Sequence, residues 1–284
     1  MILVTGAAGK TGRAVIRALA HHAQPVRAFV RTADAGQALL SLGAVDYATG
    51  DLLSADDVRA AMRDVRAVYH ICPNMHPAEE AMGALVIAAA EVAGIARFVY
   101  HSVLHPQVEA MPHHWAKLRV EARLFASALD WTVLQPAAYF QNILTYRETI
   151  RATGRYRVPY PVGTRLGMTD LADVAAVAAR VLTETGHSSA IYELAGGEIL
   201  TQVQIARILS DVWQRPVTAA EIPLDEWEDQ ARRAGLSDYA VSALRAMFLY
   251  YARYGFWGNP RVLTMLLGRS PGTLAEALTR AAAL

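Results

Sequence analysis

The sequence has little cysteine, little net charge and no long apolar run. Its one cysteine, Cys72, excludes a disulfide framework and indicates a reducing compartment. Lys and Arg total 27 against 26 Asp and Glu, so no charge excess suggests a nucleic acid or an anionic membrane as partner. No apolar run approaches the ~20 residues of a membrane span, and Met1 leads into a predicted strand without a signal-peptide pattern. We expect a cytoplasmic protein that acts on a small molecule.

Metal and hydrolase patterns are also missing. His101, His105, His113 and His114 are close in sequence, but their spacing matches no zinc pattern and no cysteine or nearby carboxylate completes a set. Ser102 has no G-x-S-x-G sequence around it, which argues against a hydrolase. We therefore expect no metal site.

The strongest pattern that is present lies at the start of the chain, where a short apolar run, a glycine-rich turn and a helical pattern follow one another. Gly6 would form the tight turn, Gly9 would let the backbone approach a pyrophosphate, and Gly12 would let helix pack on strand. The alternative, since the spacing is G-x-x-G-x-x-G, is a turn without a ligand. We expect a dinucleotide to contact the residues of this turn: Thr5, Gly6, Ala8, Gly9, Lys10, Thr11 and Gly12.

Further cofactor contacts are expected where later strands end. Arg31 follows a second strand, predicted at 25–30, and is placed to pair with the 2′-phosphate of NADP, unless it is simply a solvated arginine. Asp51, with Leu52 beside it, sits where adenine would be reached, or else is a turn aspartate. Cys72 and Pro73 end the fourth strand, where Cys72 can also be a buried structural thiol.

Strands and helices alternate along the first half of the chain. Further strands are predicted at 45–48, 67–72, 97–101 and 129–134, with helices between them, one of which starts with a capping-box spacing at Ser54 and Asp57. Alternation of this kind predicts an α/β fold with a doubly wound parallel Rossmann sheet, in which ligands lie outside the carboxyl ends of the strands. We expect the Rossmann domain to cover 1–155, with a strand near 190–195 completing its sheet.

The remainder, 156–284, is expected to be a smaller, mostly helical substrate-binding region. Its predicted elements are an aromatic loop at 156–161, a strand at 217–222, and helices at 202–213, 224–234 and 239–254. The last helix and the residues after it are rich in aromatic side chains, which either form core or line an apolar, ring-shaped substrate site.

The chain resembles the NmrA-like branch of the atypical short-chain dehydrogenase/reductases over essentially its whole length. The matching segments are TGAAGKTG, VRAFVR, GDL, FVYHSV, the K-x-x-x-E helix, WTVLQPAAYFQN, TDLADVA, YELAGGEILT and GRSPGTLAE. The resemblance implies an NADP-binding Rossmann domain and a small C-terminal substrate domain. Some relatives reduce quinones, ketones or activated double bonds, and others bind the cofactor without turnover.

The resemblance also implies catalytic positions, with one departure from the usual Ser and Tyr-x-x-x-Lys set. Ser102 and Lys117 fill the serine and lysine positions, whereas His113 stands at the tyrosine position and Tyr139 falls in the segment that borders nicotinamide and substrate. A histidine can act as an acid near neutral pH. The alternatives are that His113 is a solvated or capping residue, that Lys117 pairs with Glu121, and that Tyr139 packs.

Two functions follow from these positions. The first is an NADPH-dependent oxidoreductase that reduces a small aromatic, quinone or ketone/enone substrate, with Lys117 orienting the ribose and Ser102, His113, Tyr139 or water supplying the proton. The second, favoured by the missing tyrosine, is a non-catalytic NADP-binding redox sensor or regulator. Sugar-nucleotide epimerase chemistry ranks below both. The oligomeric state is open, with a homodimer compatible.

Overall fold

The computed structural model describes residues 1–282, which form two compact units. The first contains 1–107, 113–135 and 174–192, and the second contains 108–112, 136–173 and the chain from residue 193 onward. The division predicted at residue 155 differs from these units, because the chain enters the second unit at residue 136 and returns to the first at residue 174. A division into consecutive segments cannot represent this path.

The first unit contains a sheet whose strands, in their order across the sheet, are β3 (Asp46–Thr49), β2 (Val26–Val30), β1 (Ile2–Val4), β4 (Ala67–His70), β5 (Arg97–His101), β6 (Trp131–Pro136) and β9 (Ala190–Leu194). Each pair of neighbouring strands from β3 to β6 in this order is parallel. This confirms the doubly wound Rossmann-type fold, including a strand near 190–195.

The order of the sheet places the ligand crevice. From β1 the strands run outward in two directions, through β2 to β3 and through β4 to β5, so the direction of winding reverses beside β1. In such sheets the ligand lies at the carboxyl ends of the strands at this reversal. The helices of this part of the chain are α1 (Lys10–His21), α2 (Ala33–Leu40), α3 (Ala55–Ala61), α4 (Glu79–Val92), α5 (Pro112–Phe125) and α8 (Leu171–Thr183).

Burial on both faces explains why the central strands are continuous apolar runs. All of β1 and β4 is buried, and Leu3, Val68 and Phe98 share one core cluster with Val86 of α4 and Val120 of α5. Gly83 of α4 is packed so tightly that an added Cβ would lie 2.6 Å from a methyl carbon of Val120. The helices therefore hold the strand ends, and the residues after them, in fixed positions.

The start of α3 differs from the predicted capping box. The Ser54 hydroxyl accepts a hydrogen bond from the Asp57 amide at 3.3 Å, as expected. The Asp57 carboxylate, however, accepts from the Asp51 amide at 2.9 Å and not from Ser54. The short aspartate side chain thereby ties the turn after β3 to the helix.

The second unit contains two small sheets and most of the remaining helices. Strand β7 (Arg155–Val158) pairs in parallel with β11 (Thr218–Glu221), so the predicted loop at 156–161 begins as a strand. Strand β8 (Arg165–Gly167) pairs antiparallel with β10 (Ile199–Thr201). The helices are α6 (Gln141–Leu144), α7 (Arg147–Thr153), α9 (Gln202–Trp213), α10 (Leu224–Arg233), α11 (Asp238–Tyr254), α12 (Arg261–Leu267) and α13 (Leu274–Ala282).

Two buried aspartates account for the TDLADVA and GRSPGTLAE segments. Asp173 accepts from Arg269 Nη2 at 2.5 Å and from the Gly272 amide at 2.7 Å. Asp170 accepts from Gln141 Nε2 at 2.8 Å and from the Arg280 guanidinium. These contacts fasten the last part of the described chain to residues 170–173, so the two segments have a structural role within the second unit.

None of the helices in residues 1–282 has both the length and the apolar character that a bilayer crossing requires.

Candidate cofactor and active site

The glycine-rich turn between β1 and α1 exposes the amino end of a helix. Gly9 is the N-cap residue of α1, and no side chain caps it. Ala8, Gly9 and Lys10 are exposed. The first amide groups of a helix carry partial positive charge and bind phosphate groups well. This turn can therefore hold an anion such as a pyrophosphate.

The three glycines of the turn have different roles. Gly6 has a φ of +56°, and an added Cβ would lie 2.8 Å from the Ile71 carbonyl oxygen. At Gly12 an added Cβ would lie 2.5 Å from the Gly6 carbonyl oxygen. Gly9 has more space, with the nearest atom at 3.2 Å. The fold itself requires Gly6 and Gly12, whereas a Cβ at Gly9 would make a single close contact, with the Gly6 carbonyl oxygen.

Thr5 is buried, and its hydroxyl is used inside the protein. Its Oγ1 accepts from the Ile71 amide at 2.8 Å, donates to the Ile71 carbonyl at 3.0 Å, and lies 2.9 Å from His70 Nδ1. This residue ties the end of β1 to the end of β4 and so supports the turn. Its predicted contact with a cofactor remains a prediction.

Arg31 and Asp51 lie at the ends of β2 and β3. Arg31 is exposed and makes no hydrogen bond or ion pair to any residue between 1 and 282, so its guanidinium can bind an anion. Asp51 is exposed too, and its carboxylate accepts from the Leu53 amide at 2.9 Å, which is the turn role considered from the sequence. Leu52 is buried.

The residues after β4 contain the only thiol. Cys72 is buried, with Sγ 3.4 Å from Met82 Sδ, and burial raises the pKa of the thiol. The interpretation of Cys72 as an inert structural thiol is thereby supported, although its backbone can still border a ligand. Pro73, which follows it, is exposed.

Ser102, directly after β5, is engaged by a buried carboxylate. Its hydroxyl donates to Glu121, and Gln135 Nε2 donates to both Glu121 oxygens at 3.0 Å. Burial raises the pKa of Glu121. The alternative pairing of Lys117 with Glu121 is wrong: among residues 1–282, Glu121 bonds to Ser102 and Gln135, because α5 turns this side chain toward the sheet.

Lys117 pairs instead with Glu79, which no sequence pattern singles out. Its Nζ donates to Glu79 Oε1 at 2.7 Å, and the Tyr100 hydroxyl donates to the same oxygen at 3.0 Å. Glu79 is buried at the first position of α4. In the sequence it looks like an ordinary acidic residue of a first helical turn, and its partner lies far along the chain.

His113, at the second position of α5, is buried and is not the solvated residue considered from the sequence. Burial, with His114 and Lys117 nearby, lowers the pKa of His113 to about 3. Its Nδ1 has no hydrogen-bond partner within residues 1–282. In this structure His113 is therefore a neutral imidazole at pH 7 and holds no cationic proton to donate.

Tyr139 and the aromatic residues of α11 belong to the second unit. Tyr139 is half-buried, and its backbone pairs with Thr169. Tyr251 and Phe256 are buried and stacked with ring centroids 5.1 Å apart, which confirms the core interpretation for these two. Tyr254 is exposed.

Within residues 1–282 no group of three or more His, Cys, Asp or Glu side chains is arranged to hold a metal ion. After β1 lies the uncapped amino end of α1, and after β2 lies the unpaired Arg31. Lys117 of α5 is held by the buried carboxylate of Glu79. Such a set of groups can bind a phosphorylated dinucleotide.

Comparison with known proteins gives consistent matches over nearly the full length. Residues 1–276 match the model of the NmrA-like family. The NAD(P)H azoreductase of Xenophilus azovorans is 30% identical, and the match covers 97% of this chain and 96% of that protein. Quinone oxidoreductase 2 of Escherichia coli (strain K12) is 27% identical, covering 98% of each chain. The crystal structure of the E. coli NADPH-dependent quinone oxidoreductase with NADPH superimposes with a TM-score of 0.85, covering 99% of both chains.

Proposed function

Because the chain belongs to the NmrA-like family, we propose that it is an NADPH-dependent oxidoreductase that reduces small aromatic acceptors of the quinone or azo type. The observation that carries the proposal is the pairing of an uncapped, glycine-lined helix end with an unpaired Arg31 at the next strand end. The full-length similarity to an azoreductase and a quinone oxidoreductase supports the acceptor class.

The residues present fit NADPH. The amides at the start of α1, which no side chain caps, suit the pyrophosphate, and the missing side chain at Gly9 allows close approach of the backbone. Arg31 suits the 2′-phosphate, since a guanidinium binds phosphate through charge-assisted hydrogen bonds. Lys117 would hold the ribose. The contacts assigned to Thr5, Lys10, Thr11, Asp51, Leu52, Cys72 and Pro73 are part of the same proposal.

When bound, NADPH supplies a hydride from its nicotinamide ring. The protein's own groups then decide how the acceptor gains its proton. His113 is neutral, and the Ser102 hydroxyl already donates to Glu121, so neither is poised as an acid. We therefore assign the proton to solvent and give Ser102 and His113 roles in acceptor binding, whereas a role for Tyr139 in the reaction stays a separate prediction.

A proton from solvent favours some acceptors over others. Reduction of a quinone leaves a weakly basic phenolate oxygen, which water protonates without help. Reduction of a simple ketone leaves a strongly basic alkoxide, which needs an acid in the transition state. The replacement of the usual tyrosine by His113 therefore supports quinone-like acceptors above ketones.

The test is NADPH oxidation across quinones, azo dyes, enones and aromatic ketones at matched concentrations. Quinones should be reduced fastest, and azo dyes and aromatic ketones, whose reduced atoms are strongly basic, should be reduced more slowly. Tight NADPH binding with no turnover of any acceptor would favour the alternative function, a redox sensor or regulator, which the missing tyrosine also suits.

We also propose that the protein works in the cytoplasm, which its single buried thiol supports. A homodimer is proposed on the family resemblance alone. Sedimentation of the purified protein with and without NADPH checks the oligomeric state.

A further inference from the structure

Three elements converge on one buried carboxylate beside Lys117. Glu79 opens α4, Tyr100 lies in β5 and Lys117 lies in α5. Glu79 Oε1 accepts from Lys117 Nζ at 2.7 Å and from the Tyr100 hydroxyl at 3.0 Å. The exposed fractions of the Lys117 and Glu79 side chains are 15% and 4%. Both side chains of this ion pair are therefore largely withdrawn from solvent.

We propose that Glu79 is a positioning residue that fixes the place and the charge of the Lys117 ammonium. The proposal rests on the proposed function, in which Lys117 holds the cofactor ribose. Glu79 itself touches no cofactor in this proposal and acts only through Lys117.

The geometry restricts a side chain that is otherwise flexible. A lysine side chain has four rotatable bonds, and ordering it costs up to ~2 kcal/mol of conformational entropy. Here the carboxylate holds the ammonium at one end, and the Tyr100 ring centroid lies 5.7 Å from Nζ. A lysine ordered before the cofactor arrives does not have to be ordered on binding.

The carboxylate also supplies the negative charge that this ammonium needs. A buried ammonium without a counter-ion tends to lose its proton. The nearby carboxylate of Glu121 is bonded to Ser102 and Gln135, so Glu79 is the acid that forms the ion pair with Lys117. Loss of the Glu79 charge should therefore let Lys117 become neutral at high pH.

The other titratable groups that sense the charge of Lys117 come from β4, β5, α5 and the residues beside them. None of them replaces Glu79, because the histidines are neutral at pH 7, the thiol is protonated there, and Glu121 is bonded to Ser102 and Gln135. They are His70, Cys72, His101, His113, His114 and Glu121.

The test is the affinity for NADPH as a function of pH, measured by titration without an acceptor. From about pH 7 to about pH 10 the parent should bind NADPH with a nearly constant affinity, because the Glu79 carboxylate stays beside the Lys117 ammonium. Glu79→Gln should lose affinity about tenfold or more as pH rises across that interval, since each unit by which the pKa falls is a tenfold change in the charged fraction. Glu79→Asp, which keeps the charge, should restore a flat profile.

Glu80→Gln is the matched control. Glu80 joins the same two helices through Arg119 Nε at 2.6 Å and Arg123 Nη2 at 2.8 Å, but these partners are exposed and do not contact Lys117. If the Glu79 pair only tethered α4 to α5, Glu79→Gln should behave like Glu80→Gln, with a flat pH profile, and that result would overturn the proposal.

Two further variants separate a folding defect from a wrong assignment. Lys117→Met leaves a buried carboxylate without its cation, so it should be less stable than the double variant Glu79→Gln/Lys117→Met, in which both charges are gone. If Glu79→Gln does not fold, the proposal is tested by this order of stabilities and by the pH profile of NADPH affinity in Glu79→Asp. A double variant less stable than Lys117→Met would contradict the proposal. Unchanged NADPH affinity in the double variant would instead refute the ribose-binding role of Lys117, and with it that part of the proposed function.

Discussion

Two corners of the same sheet edge differ in how much of their polar surface is free. At the carboxyl ends of β1 and β2, the end of α1 is uncapped and Arg31 is exposed without a partner among residues 1–282. At the carboxyl end of β5, Ser102 and Lys117 are each bonded to a buried glutamate. The first region, which we call the open corner, offers donor groups to a ligand. In the second region, the paired corner, the polar side chains are already bonded within the protein.

The difference indicates that phosphate binding and the chemical step depend on different corners of the sheet edge. Phosphate binding needs exposed donors and tolerates water, so the open corner suits the charged half of a cofactor. The paired corner cannot easily exchange protons, since its histidine is neutral and its serine proton is engaged. A site of this kind can bind NADPH tightly and transfer hydride to acceptors that need no acid.

The largest expected effect tests the open corner. Gly9→Val should reduce NADPH affinity by at least about a hundredfold, because the side chain would fill the space that the pyrophosphate needs. Its circular dichroism spectrum and thermal unfolding should stay close to the parent. Calorimetric titration of NADPH measures the loss.

Gly12→Val is the matched contrast. Its Cβ would lie 2.5 Å from a backbone oxygen, so this variant should lose stability and not only affinity. Parental NADPH affinity in a folded Gly9→Val variant would show that the turn is not the phosphate site.

Arg31→Ala should have the next largest effect. Loss of a charge-assisted contact to the 2′-phosphate should weaken NADPH binding by about 1.5–3 kcal/mol, and NADH binding much less. Titration of both cofactors measures the difference. Arg17→Ala removes another exposed arginine, in α1, and should leave both affinities unchanged. Equal losses for NADPH and NADH in Arg31→Ala would contradict the assignment.

The open corner was predictable from the sequence and the paired corner was not, for a physical reason. The glycine turn depends on backbone conformation and on neighbours within a few residues, so its pattern is local. The strand at Arg97–His101 and the helix at Gln202–Trp213 were predicted to the residue, because buried runs and amphipathic periods are also local.

The partners of Lys117 and Ser102 depend on contacts between distant segments. Helical spacing places Glu121 four residues after Lys117, yet Glu121 bonds to Ser102 and Gln135, and Lys117 bonds to Glu79, 38 residues away in sequence. The strand pairing of β7 with β11 was missed for the same reason. The spacing of residues within one helix does not predict which face of that helix packs against the sheet.

His113→Phe tests whether the paired corner supplies a proton. With a neutral His113, kcat for a quinone should fall by less than about tenfold, whereas loss of a general acid would cost about 10²–10⁴. Steady-state kinetics at saturating NADPH measures kcat and KM for the acceptor. A loss confined to the acceptor KM would support a binding role, and a loss of 10² or more would refute the assignment of the proton to solvent.

The same variant should change stability in acid. The pKa of His113 is about 3 in the folded chain and ~6.5 when unfolded, so the unfolded state binds the proton first as pH falls below ~6.5. The stability contributed by the neutral histidine is present above that pH and is lost toward the folded pKa. Between pH 7 and pH 5, urea unfolding should show His113→Phe losing about 1–2 kcal/mol less than the parent.

Glu121→Gln should have the smallest effect and the opposite sign. Burial raises the pKa of Glu121, so the folded chain binds this proton more readily than the unfolded chain, and the carboxylate lowers stability as pH rises above ~4.3. The amide of the variant can donate to the Ser102 hydroxyl and accept one hydrogen bond from Gln135 Nε2, but its NH2 group cannot accept the second bond that Gln135 Nε2 makes to the carboxylate. The variant should be about as stable as the parent near pH 4 and more stable than the parent near pH 8, with NADPH affinity unchanged. Urea unfolding at both pH values measures the difference in stability between variant and parent.

A variant less stable than the parent at both pH values would mean that the hydrogen bonds from Ser102 and Gln135 outweigh the cost of burying the charge. The paired corner would then depend on an ionised Glu121.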